Sequence, residues 1–509
     1  MFITARELVR WGMGFVMVVA AFLAGEPFVQ AGGGDAVSEP RDDAAGDVQI
    51  ARLQKDIPGL MNEAGVPGMA VVVLREGKIR WAQNFGVKNV KSGTELDDGT
   101  IFEAASLSKP VFAYGVLKLV EQGKIGLDVP LTKYLPKPYI EGDSRLEKIT
   151  ARIVLSHRTG FPNWRDDGNA LTIHFTPGER FSYSGEGFVY LQRVVEQIAG
   201  KPLNDVMNEL VFVPLGMSSS SYVWRADFDD RTATGHDGDG NPQELWKPKE
   251  AVAASSLNTT AHDYALFVAA VLNDVGLKAA TFRAMETPQI AVDPECTNCT
   301  ERTPKELSKN IFWGLGWGIQ KGGSEESLWH WGDNGSFKCF VVANPREKSG
   351  VVMFTNSENG LSIAPVVVRD ATGSEAPAFS WVKYDRYDSA AMRFRKTVRE
   401  KGADGAVEEF SGALKDGTIS EDTVNSVGYS LLRQKKTAEA IRAFRLNTEL
   451  HPQSANAFDS LGEAYMAAGE KMLAIENYEK SLKIDPKKTN AVKQLKKLRE
   501  QTEQKDVMK

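Results

Sequence analysis

The sequence has few histidines and cysteines and no large excess of charge of either sign. Its 509 residues include 6 histidines and 3 cysteines, and 61 basic residues against 67 acidic ones leave a net charge of -6. These interspersed charges give no basic surface for nucleic acid and no polybasic segment for anionic lipid, so we expect neither partner. No grouping of Cys and His has the spacing of a zinc site, and we expect no metal and no cofactor.

Two of the scarce cysteines are close in sequence. Cys296 and Cys299 form a C-x-x-C in a loop rich in Pro, Asn and Thr, where an exported protein could close a small disulfide. No βαβ pattern surrounds the pair, so the sequence gives no support to a thioredoxin-like redox site. Cys339 lies in a strand pattern, and we expect a small buried hydrophobic residue there rather than a catalytic thiol.

Long hydrophobic runs are also rare, and the one at the N-terminus is short for a membrane span. Arg6 and Arg10 precede an apolar run at residues 11–24, and small residues follow at 29–31, where a signal peptidase would need them. We therefore predict a signal peptide at residues 1–31 and a secreted or periplasmic protein with no membrane span after its removal. An uncleaved anchor is the alternative, although a span needs about 20 residues. No cysteine follows the run, which argues against a lipoprotein.

Composition and periodicity divide the remaining chain into two folded domains. We predict a spacer at residues 32–46, a first domain at 47–372, a linker at 373–387 and a second domain at 388–503. Each domain is long enough to bury its own core.

The first domain has strand patterns at both ends and mainly helical patterns between them. The strand patterns cover residues 69–74, 79–85, 312–319, 327–330, 337–343 and 351–356. A helix with proline in its first turn is predicted from Lys109 to Gln122, and an apolar helix ends the domain at residues 361–368. This order predicts one sheet made from the two ends of the domain, with a helical subdomain inserted between them.

The second domain repeats itself with a period of 34 residues. The residues that match at this spacing are Gly428 and Gly462, Ala440 and Ala474, Ile441 and Ile475, Phe444 and Tyr478, and Pro452 and Pro486. A weaker copy lies one period upstream and includes Ala406, Val407 and Phe410. The period is that of tetratricopeptide repeats, and about three units suffice to bury a continuous core. We therefore predict an all-α tetratricopeptide solenoid that binds a protein partner, with an ordinary helical bundle as the alternative.

A serine and a lysine lie one helical turn apart where the helix of the first domain begins. The spacing in Ser106-Leu107-Ser108-Lys109 places Ser106 and Lys109 on one helix face. The lysine amine can accept the serine proton if burial lowers its pKa from about 10.4 to about 7–8. This pair suits acyl-transfer chemistry. A second Ser-x-x-Lys, from Ser380 to Lys383, lies in the predicted linker, and we interpret it as chance.

Two motifs downstream offer companions for this pair. Tyr183 lies in Phe-Ser-Tyr-Ser-Gly, and a buried tyrosine near cations can act as a phenolate or relay the serine proton. An ordinary core tyrosine is the alternative. His330-Trp331-Gly332 lies between strand patterns, where glycine lets a substrate backbone approach a strand edge. His236-Asp237-Gly238 has the same His-x-Gly spacing but lies in a Gly/Asp-rich loop, so we use it as a control motif without a catalytic role. We interpret His157 and His262 as structural.

In this order, Ser106-x-x-Lys109, Tyr183-Ser184-Gly185 and His330-x-Gly332 resemble the motifs of the serine β-lactamase and penicillin-binding protein family, in its class C-related branch of D,D-peptidases and esterases. Residues 155–160, 176–178 and 254–263 are also similar to that family. The resemblance covers roughly residues 47–368. It implies a β-lactamase-like α/β (α+β) fold with an antiparallel sheet, flanking helices and an inserted helical subdomain.

The resemblance also implies a role for each matched residue. The catalytic residues would be Ser106, Lys109, Tyr183 and His330, and the oxyanion and substrate-binding residues would be Ser106, Gly185, Gly332 and Asp333. Ser106 would attack a carbonyl, Lys109 and Tyr183 would move its proton, and the backbone N–H groups of Ser106 and Asp333 would hold the oxyanion. Each such donor is typically worth about 2.7–4 kcal/mol in the transition state.

The sequence thus predicts an exported serine hydrolase that acts through an acyl-serine intermediate on a small-molecule or peptide substrate, whether an ester, a D-alanyl peptide or a β-lactam amide. Two departures from the family weaken the case for penicillins and D-Ala-D-Ala ends. Gly185 replaces a frequent asparagine, and His330, mostly neutral at pH 7, replaces a frequent lysine. The alternative is a catalytically reduced envelope scaffold that acts through its repeats.

Overall fold

The computed structural model describes residues 44–165, 170–322 and 325–507. The predicted signal peptide and the part of the predicted spacer before Ala44 lie outside the described residues. The first helix begins at Ala44, inside the predicted spacer. Within the described ranges, no helix combines the length and the hydropathy needed to cross a membrane.

Most strands of the described residues form one antiparallel sheet. The strands are β1 Gly68–Arg75, β2 Lys78–Asn89, β3 Thr94–Glu95, β4 Phe102–Glu103, β5 Asn258–Thr259, β6 Ile290–Ala291, β7 Ile311–Trp313, β8 Gly318–Gly322, β9 Glu325–Asp333, β10 Lys338–Asn344 and β11 Ser349–Thr355. The sheet has the order β3-β2-β1-β11-β10-β9-β8-β7-β6, and β4 pairs separately with β5. Every neighbouring pair is antiparallel.

Helices cover this sheet and form the C-terminal part of the chain. They are α1 Ala44–Ala64, α2 Ser108–Glu121, α3 Ala151–Leu155, α4 Gly185–Ala199, α5 Leu203–Met207, α6 Val213–Leu215, α7 Ala261–Leu272, α8 Ala279–Glu286, α9 Ala364–Thr372, α10 Ala378–Val382, α11 Ala390–Glu409, α12 Ser411–Lys415, α13 Glu421–Arg433, α14 Thr437–Leu450, α15 Ala455–Ala468, α16 Lys471–Ile484 and α17 Thr489–Val507.

Strand β1 is almost continuously apolar because helices cover both faces of the sheet. Val72 belongs to the same core as Phe112 of α2 and Phe267 of α7. Its neighbour Val71 points to the opposite face and belongs to a second core with Ile57 of α1. Side chains alternate along a strand, so a central strand needs apolar residues at every position when both faces are buried.

The predicted architecture of the first domain is confirmed. Strand β1 pairs with β2 on one side and with β11 on the other, so the two ends of the domain share one sheet. The helices α2 to α6 lie between β4 and β5 in the chain and form the predicted insertion. The hairpin turn between β1 and β2 uses Glu76 and Gly77, both with positive φ.

One predicted strand is wrong in detail. Residues 312–319 do not form a single strand but the hairpin of β7 and β8, in which Trp313 pairs with Gly318. The turn between them is closed by the Gly314 N–H, which donates to the Trp317 carbonyl at 2.8 Å. Gly316 has φ 85°, and a Cβ there would lie 2.2 Å from the Ala113 side chain. Glycine is therefore required where this turn meets α2.

The predicted linker at residues 373–387 is packed against the first domain. Helix α10 lies within this segment, and its Trp381 is 3% exposed in the core that contains Trp313 and Trp329. The Trp381 indole donates to the Asp293 carbonyl at 2.7 Å, and the Tyr384 hydroxyl donates to Asp333 at 2.5 Å. The aromatic side chains of the segment thus pack into a core of the first domain.

The C-terminal part is helical, and contacts within it recur 34 residues apart. The Phe444 ring lies against Gly428, and the Tyr478 ring lies against Gly462 in the same way. A Cβ at either glycine would lie within 2.7 Å of the ring, so only glycine allows this approach. Side chains of α14 and α16 also hydrogen-bond to the first carbonyls of α13 and α15, through the pairs Asn447 to Glu421 and Ser481 to Ala455.

The helical part contacts a loop of the first domain that also leads to the site described below. Asp239 accepts hydrogen bonds from Ser430 and Gln434 of α13, the latter at 3.1 Å. Arg399 of α11 donates to the Gly238 carbonyl at 3.1 Å. These polar contacts hold the start of the helical part on the loop that follows His236.

Candidate active site

Ser106 lies in a tight turn directly before α2. Residues Ala105–Leu107 form one turn of 3-10 helix, and Ala105 has φ 47°, a left-handed conformation that costs about 1–2 kcal/mol outside glycine. The Ser108 hydroxyl fixes this turn because it donates to the Ala105 carbonyl at 2.5 Å and accepts from the Leu257 N–H at 3.0 Å. The strained turn places Ser106 at the N-terminal end of α2, where the helix dipole favours developing negative charge.

Lys109 is buried with its amine against Ser106. Its Nζ lies 3.0 Å from Ser106 Oγ and 2.8 Å from the Ala254 carbonyl oxygen. The side chain is fully buried, and this burial lowers its pKa well below the ordinary lysine value. An uncharged amine at this distance can accept the Ser106 proton, as the sequence predicts.

Tyr183 is held beside this pair from three sides. Its ring lies under the Lys109 amine, with 4.7 Å from Nζ to the ring centroid, and stacks on His157 at a centroid distance of 4.2 Å. The Tyr183 N–H donates to the Thr297 carbonyl at 2.9 Å. Burial raises the pKa of Tyr183, and the adjacent Ser106 hydroxyl opposes this only in part. The phenol is therefore protonated in the resting site, which favours a proton relay over a phenolate.

His157 proves to be a structural residue of the site itself. Its Nδ1 accepts a hydrogen bond from the Ser184 N–H at 3.0 Å, and Ser184 caps α4 by accepting from the Gly187 N–H at 3.0 Å. Because Nδ1 is an acceptor, the imidazole is neutral, in agreement with a pKa lowered far below its usual value by burial. His262, by contrast, lies exposed on α7.

His330, which the sequence predicts as catalytic, lies beneath Tyr183 and is not among the residues that line the cleft. It occupies β9, where it shares a strand face with Gly332, and it is fully buried. Its ring centroid lies 6.1 Å from that of Tyr183, and its Nδ1 lies 2.8 Å from the Trp331 carbonyl oxygen. Burial, and to a smaller extent Lys109, lower the pKa of His330 to about 3. The neutral imidazole therefore supports Tyr183, whereas its neighbour Trp331 lines the cleft.

We expect His330 to make the protein sensitive to acid. Its pKa is about 3 in the folded protein and about 6.5 when unfolded, so the unfolded state binds more protons below pH 6.5. The free energy of unfolding should therefore fall by roughly 1 kcal/mol per pH unit between pH 6 and 4 on account of this residue. Denaturant titrations of His330→Gln should show a shallower pH dependence, while the exposed control His262→Gln should follow the parent. Equal slopes in all three proteins would contradict the assignment.

Gly185 and Gly332 have packing roles next to the cleft. A Cβ at Gly185 would lie 2.9 Å from the Trp164 ring, and the Gly185 N–H donates to Asn163 Oδ1 at 2.9 Å. Asn163 and Trp164 therefore occupy the space of the side chain that the family often has at position 185. A Cβ at Gly332 would lie 2.6 Å from the Ala104 carbonyl oxygen, so glycine lets β9 approach the Ser106 turn.

These elements surround a cleft of about 620 Å³. Its lining residues are Glu103, Ser106, Asn163, Trp164, Tyr183, Glu244, Trp246, Ser255, Thr297, Asn298, Trp331, Asp333, Asn334, Ser336, Val382 and Tyr384. The sequence-predicted Ser106, Tyr183 and Asp333 are among them, and Lys109 contacts Ser106 from below.

Sequence reasoning missed several parts of the cleft wall. Thr297 and Asn298 lie between Cys296 and Cys299, which form a disulfide. The C-x-x-C spacing indicates the disulfide of that loop, but it does not indicate that the loop lies at the cleft. Cys339 is buried in β10 as expected, with its Sγ 3.1 Å from the Ala104 carbonyl oxygen.

Comparisons with known proteins agree with this geometry. A family model described as Beta-lactamase matches residues 53–368. Esterase EstB of Burkholderia gladioli is 28% identical over 225 residues, which cover 38% of this chain and 57% of that esterase. Protein flp of Staphylococcus aureus (strain N315) is 20% identical over 331 residues, 60% of this chain and 62% of that protein. The chain thus spans between 57% and 62% of the lengths of these relatives.

Two solved structures share the fold. The octameric penicillin-binding protein homologue from Pyrococcus abyssi has a TM-score of 0.54 and 22% identity, covering 69% of this chain and 82% of that chain. The D-alanine carboxypeptidase AmpC from Burkholderia cenocepacia has a TM-score of 0.54 and 20% identity, covering 64% and 99%. The matched region 53–368 contains Ser106, Lys109 and Tyr183 together in one site. The chain belongs to the β-lactamase family.

Proposed function

We propose that this protein is an exported serine hydrolase that forms an acyl-Ser106 intermediate from an ester or amide substrate. The observation that carries the proposal is the 3.0 Å contact between Ser106 Oγ and the buried amine of Lys109. The relatives include an esterase and a D-alanine carboxypeptidase by name. The apolar N-terminal run and the disulfide of Cys296 with Cys299 support export to the periplasm or the medium.

In this proposal, each polar group of the site has a role in the reaction. Ser106 Oγ attacks the carbonyl carbon while its proton passes to Lys109 Nζ. The backbone N–H groups of Ser106 and Asp333 face the developing oxyanion in this proposal. Tyr183, kept protonated by burial, delivers a proton to the leaving group and is restored through Lys109. Water then attacks the acyl-enzyme along the reverse path and releases the acid.

We further propose that the helical part is a tetratricopeptide module that binds a protein partner. The repeated contacts of Gly428 with Phe444 and of Gly462 with Tyr478 support this assignment, since they recur at the period of such repeats. The paired hydrogen bonds to the first carbonyls of α13 and α15 recur at the same spacing.

The acyl-enzyme proposal is tested by covalent labelling. We expect a fluorophosphonate probe to modify the folded full-length protein at Ser106, because the adjacent uncharged Lys109 activates that hydroxyl. Peptide mapping by mass spectrometry identifies the site, and labelling should vanish after denaturation. The absence of label at Ser106 in folded protein would favour the alternative of a scaffold without turnover.

A further inference from the structure

The walls of the cleft combine aromatic rings with carboxylates. Trp164, Trp246, Trp331 and Tyr384 contribute the aromatic faces, in addition to Tyr183. The acidic lining residues are Glu103, Glu244 and Asp333. Among the described lining residues none is lysine or arginine. This composition is unfavourable for an anionic substrate and favourable for a cationic one.

Two of the tryptophans are unusually exposed. Trp164 is 46% exposed and Trp246 is 43% exposed, whereas Trp331 is 9% exposed. The Trp164 ring lies against Gly185, and the residue lines the cleft. Exposed aromatic faces that converge on one cavity indicate ligand binding, and the indole face is the strongest aromatic partner for a cation.

The carboxylates differ in how far they are neutralised. Asp333 forms an ion pair with Lys338, and it accepts a hydrogen bond from Tyr384. Glu103 is 6% exposed and accepts a hydrogen bond from Asn334 at 2.8 Å. Glu244 is exposed at the cleft. Burial raises the pKa of Glu103 to about 7, so this carboxyl is only partly ionised at neutral pH. The exposed Glu244 therefore supplies the uncompensated negative charge of the cavity.

The cations next to the cleft are already paired. Lys338 is committed to Asp333. Arg165, which follows Trp164, pairs with Glu186, and Lys247, which follows Trp246, lies 2.5 Å from Asp229. His330, at the position where the family often has a lysine, is buried and neutral. In this part of the described chain, no basic side chain is thus placed to bind a substrate carboxylate.

We propose that the cleft is built for esters or amides that carry an ammonium group and no carboxylate, with the ammonium held between the tryptophan faces and the carboxylate of Glu244. The inference rests on the proposed function of Ser106. It distinguishes this site from those that recognise the carboxylate of a penicillin or of a D-alanyl terminus. Asn163, next to Trp164, offers an amide at the cleft for the neutral part of the substrate.

Matched esters test the charge preference. Three nitrophenyl esters with acyl chains of equal length would end in a trimethylammonium, a tert-butyl or a carboxylate group. We expect kcat/KM to be about tenfold higher for the cationic ester than for the neutral one, and lowest for the anionic ester. The advantage should shrink as salt is raised, because the attraction is partly electrostatic. Equal rates for the cationic and neutral esters would overturn the inference.

Variants assign the preference to the proposed residues. Glu244→Gln and Trp246→Leu should each lower the ratio of cationic to neutral kcat/KM by at least about threefold. Glu250→Gln, an exposed control in the same segment, should leave the ratio unchanged. An unchanged ratio in both Glu244→Gln and Trp246→Leu would contradict the assignment.

A binding measurement separates this inference from the proposed function. Butyltrimethylammonium should slow fluorophosphonate labelling of Ser106 more than butyrate does at the same ionic strength. Labelling that is slowed equally by both would overturn the cation preference while leaving the serine hydrolase intact. The absence of labelling together with no hydrolysis of any ester would overturn both.

Discussion

Replacement of Ser106 by alanine should lower kcat/KM for any hydrolysed ester by about 10⁴-fold or more. The hydroxyl is the proposed nucleophile, and no other described hydroxyl makes a hydrogen bond to Lys109. The variant should keep the unfolding midpoint of the parent. Loss of the hydroxyl removes only one partner of the buried Lys109 amine, which still donates to the Ala254 carbonyl. Steady-state kinetics and thermal unfolding on the same samples measure the two effects.

The chain contains its own control for this substitution. Ser380 repeats the Ser-x-x-Lys spacing, but its hydroxyl donates to the Pro377 carbonyl and lies exposed. The corresponding lysine, Lys383, contacts Glu295 instead of Ser380. Ser380→Ala should therefore retain full activity. An activity loss in Ser380→Ala equal to that in Ser106→Ala would count against the assignment of Ser106.

Replacement of Lys109 by methionine should lower kcat/KM by about 10²- to 10⁴-fold, the usual contribution of a general base. Methionine fills a similar volume but cannot accept the Ser106 proton. Because burial lowers the pKa of Lys109, the parent should be active at neutral pH and lose activity in acid as the amine gains a proton. Stopped assays from pH 4 to 9 with Lys109→Met and the parent measure both effects.

Replacement of Lys109 by arginine tests whether an uncharged group is needed at this position. Lys109→Arg keeps a positive charge at every accessible pH, and a charged guanidinium in this buried position lowers stability as well as activity. The matched control Lys383→Met, exposed and outside the cleft, should behave like the parent. A Lys109→Met variant with more than about a tenth of parental kcat/KM would show that another group accepts the proton.

The sequence predicts the sheet well because its signals are local. The strand patterns at residues 69–74 and 79–85 correspond to β1 and β2, which pair as neighbours. The turn within residues 312–319 was not predicted, because the stretch is mostly apolar. Gly316 is required there only by its contact with Ala113 of α2. Ala113 lies 203 residues before Gly316 in the sequence, so no local pattern contains this contact. The packing of residues 373–387 was not predictable for the same reason, because Trp381 finds its core partners only in the folded chain.

The candidate site was predictable where one motif contains both partners. Ser106 and Lys109 share a helical turn, so their spacing alone implies the contact. The position of His330 depends instead on strand pairing, because β9 extends through Asp333. Within this strand, His330 points beneath Tyr183, and Trp331 points into the cleft. Glu244 and Trp246 come from a loop with no periodic pattern, and composition gives no sign that they line the same cavity.

The packing of α10 fixes where the hydrolase-like domain can be excised. A fragment that stops with the family match at residue 368 would leave behind Trp381 of the core and Tyr384 of the cleft wall. An active fragment has to extend through Tyr387, whose N–H donates to the Ser362 carbonyl at 3.1 Å. Ser389 already caps α11, so a single residue, Asp388, forms the tether between the two domains. A cut between Tyr387 and Ser389 therefore spares both the wall of the cleft and the capped end of α11.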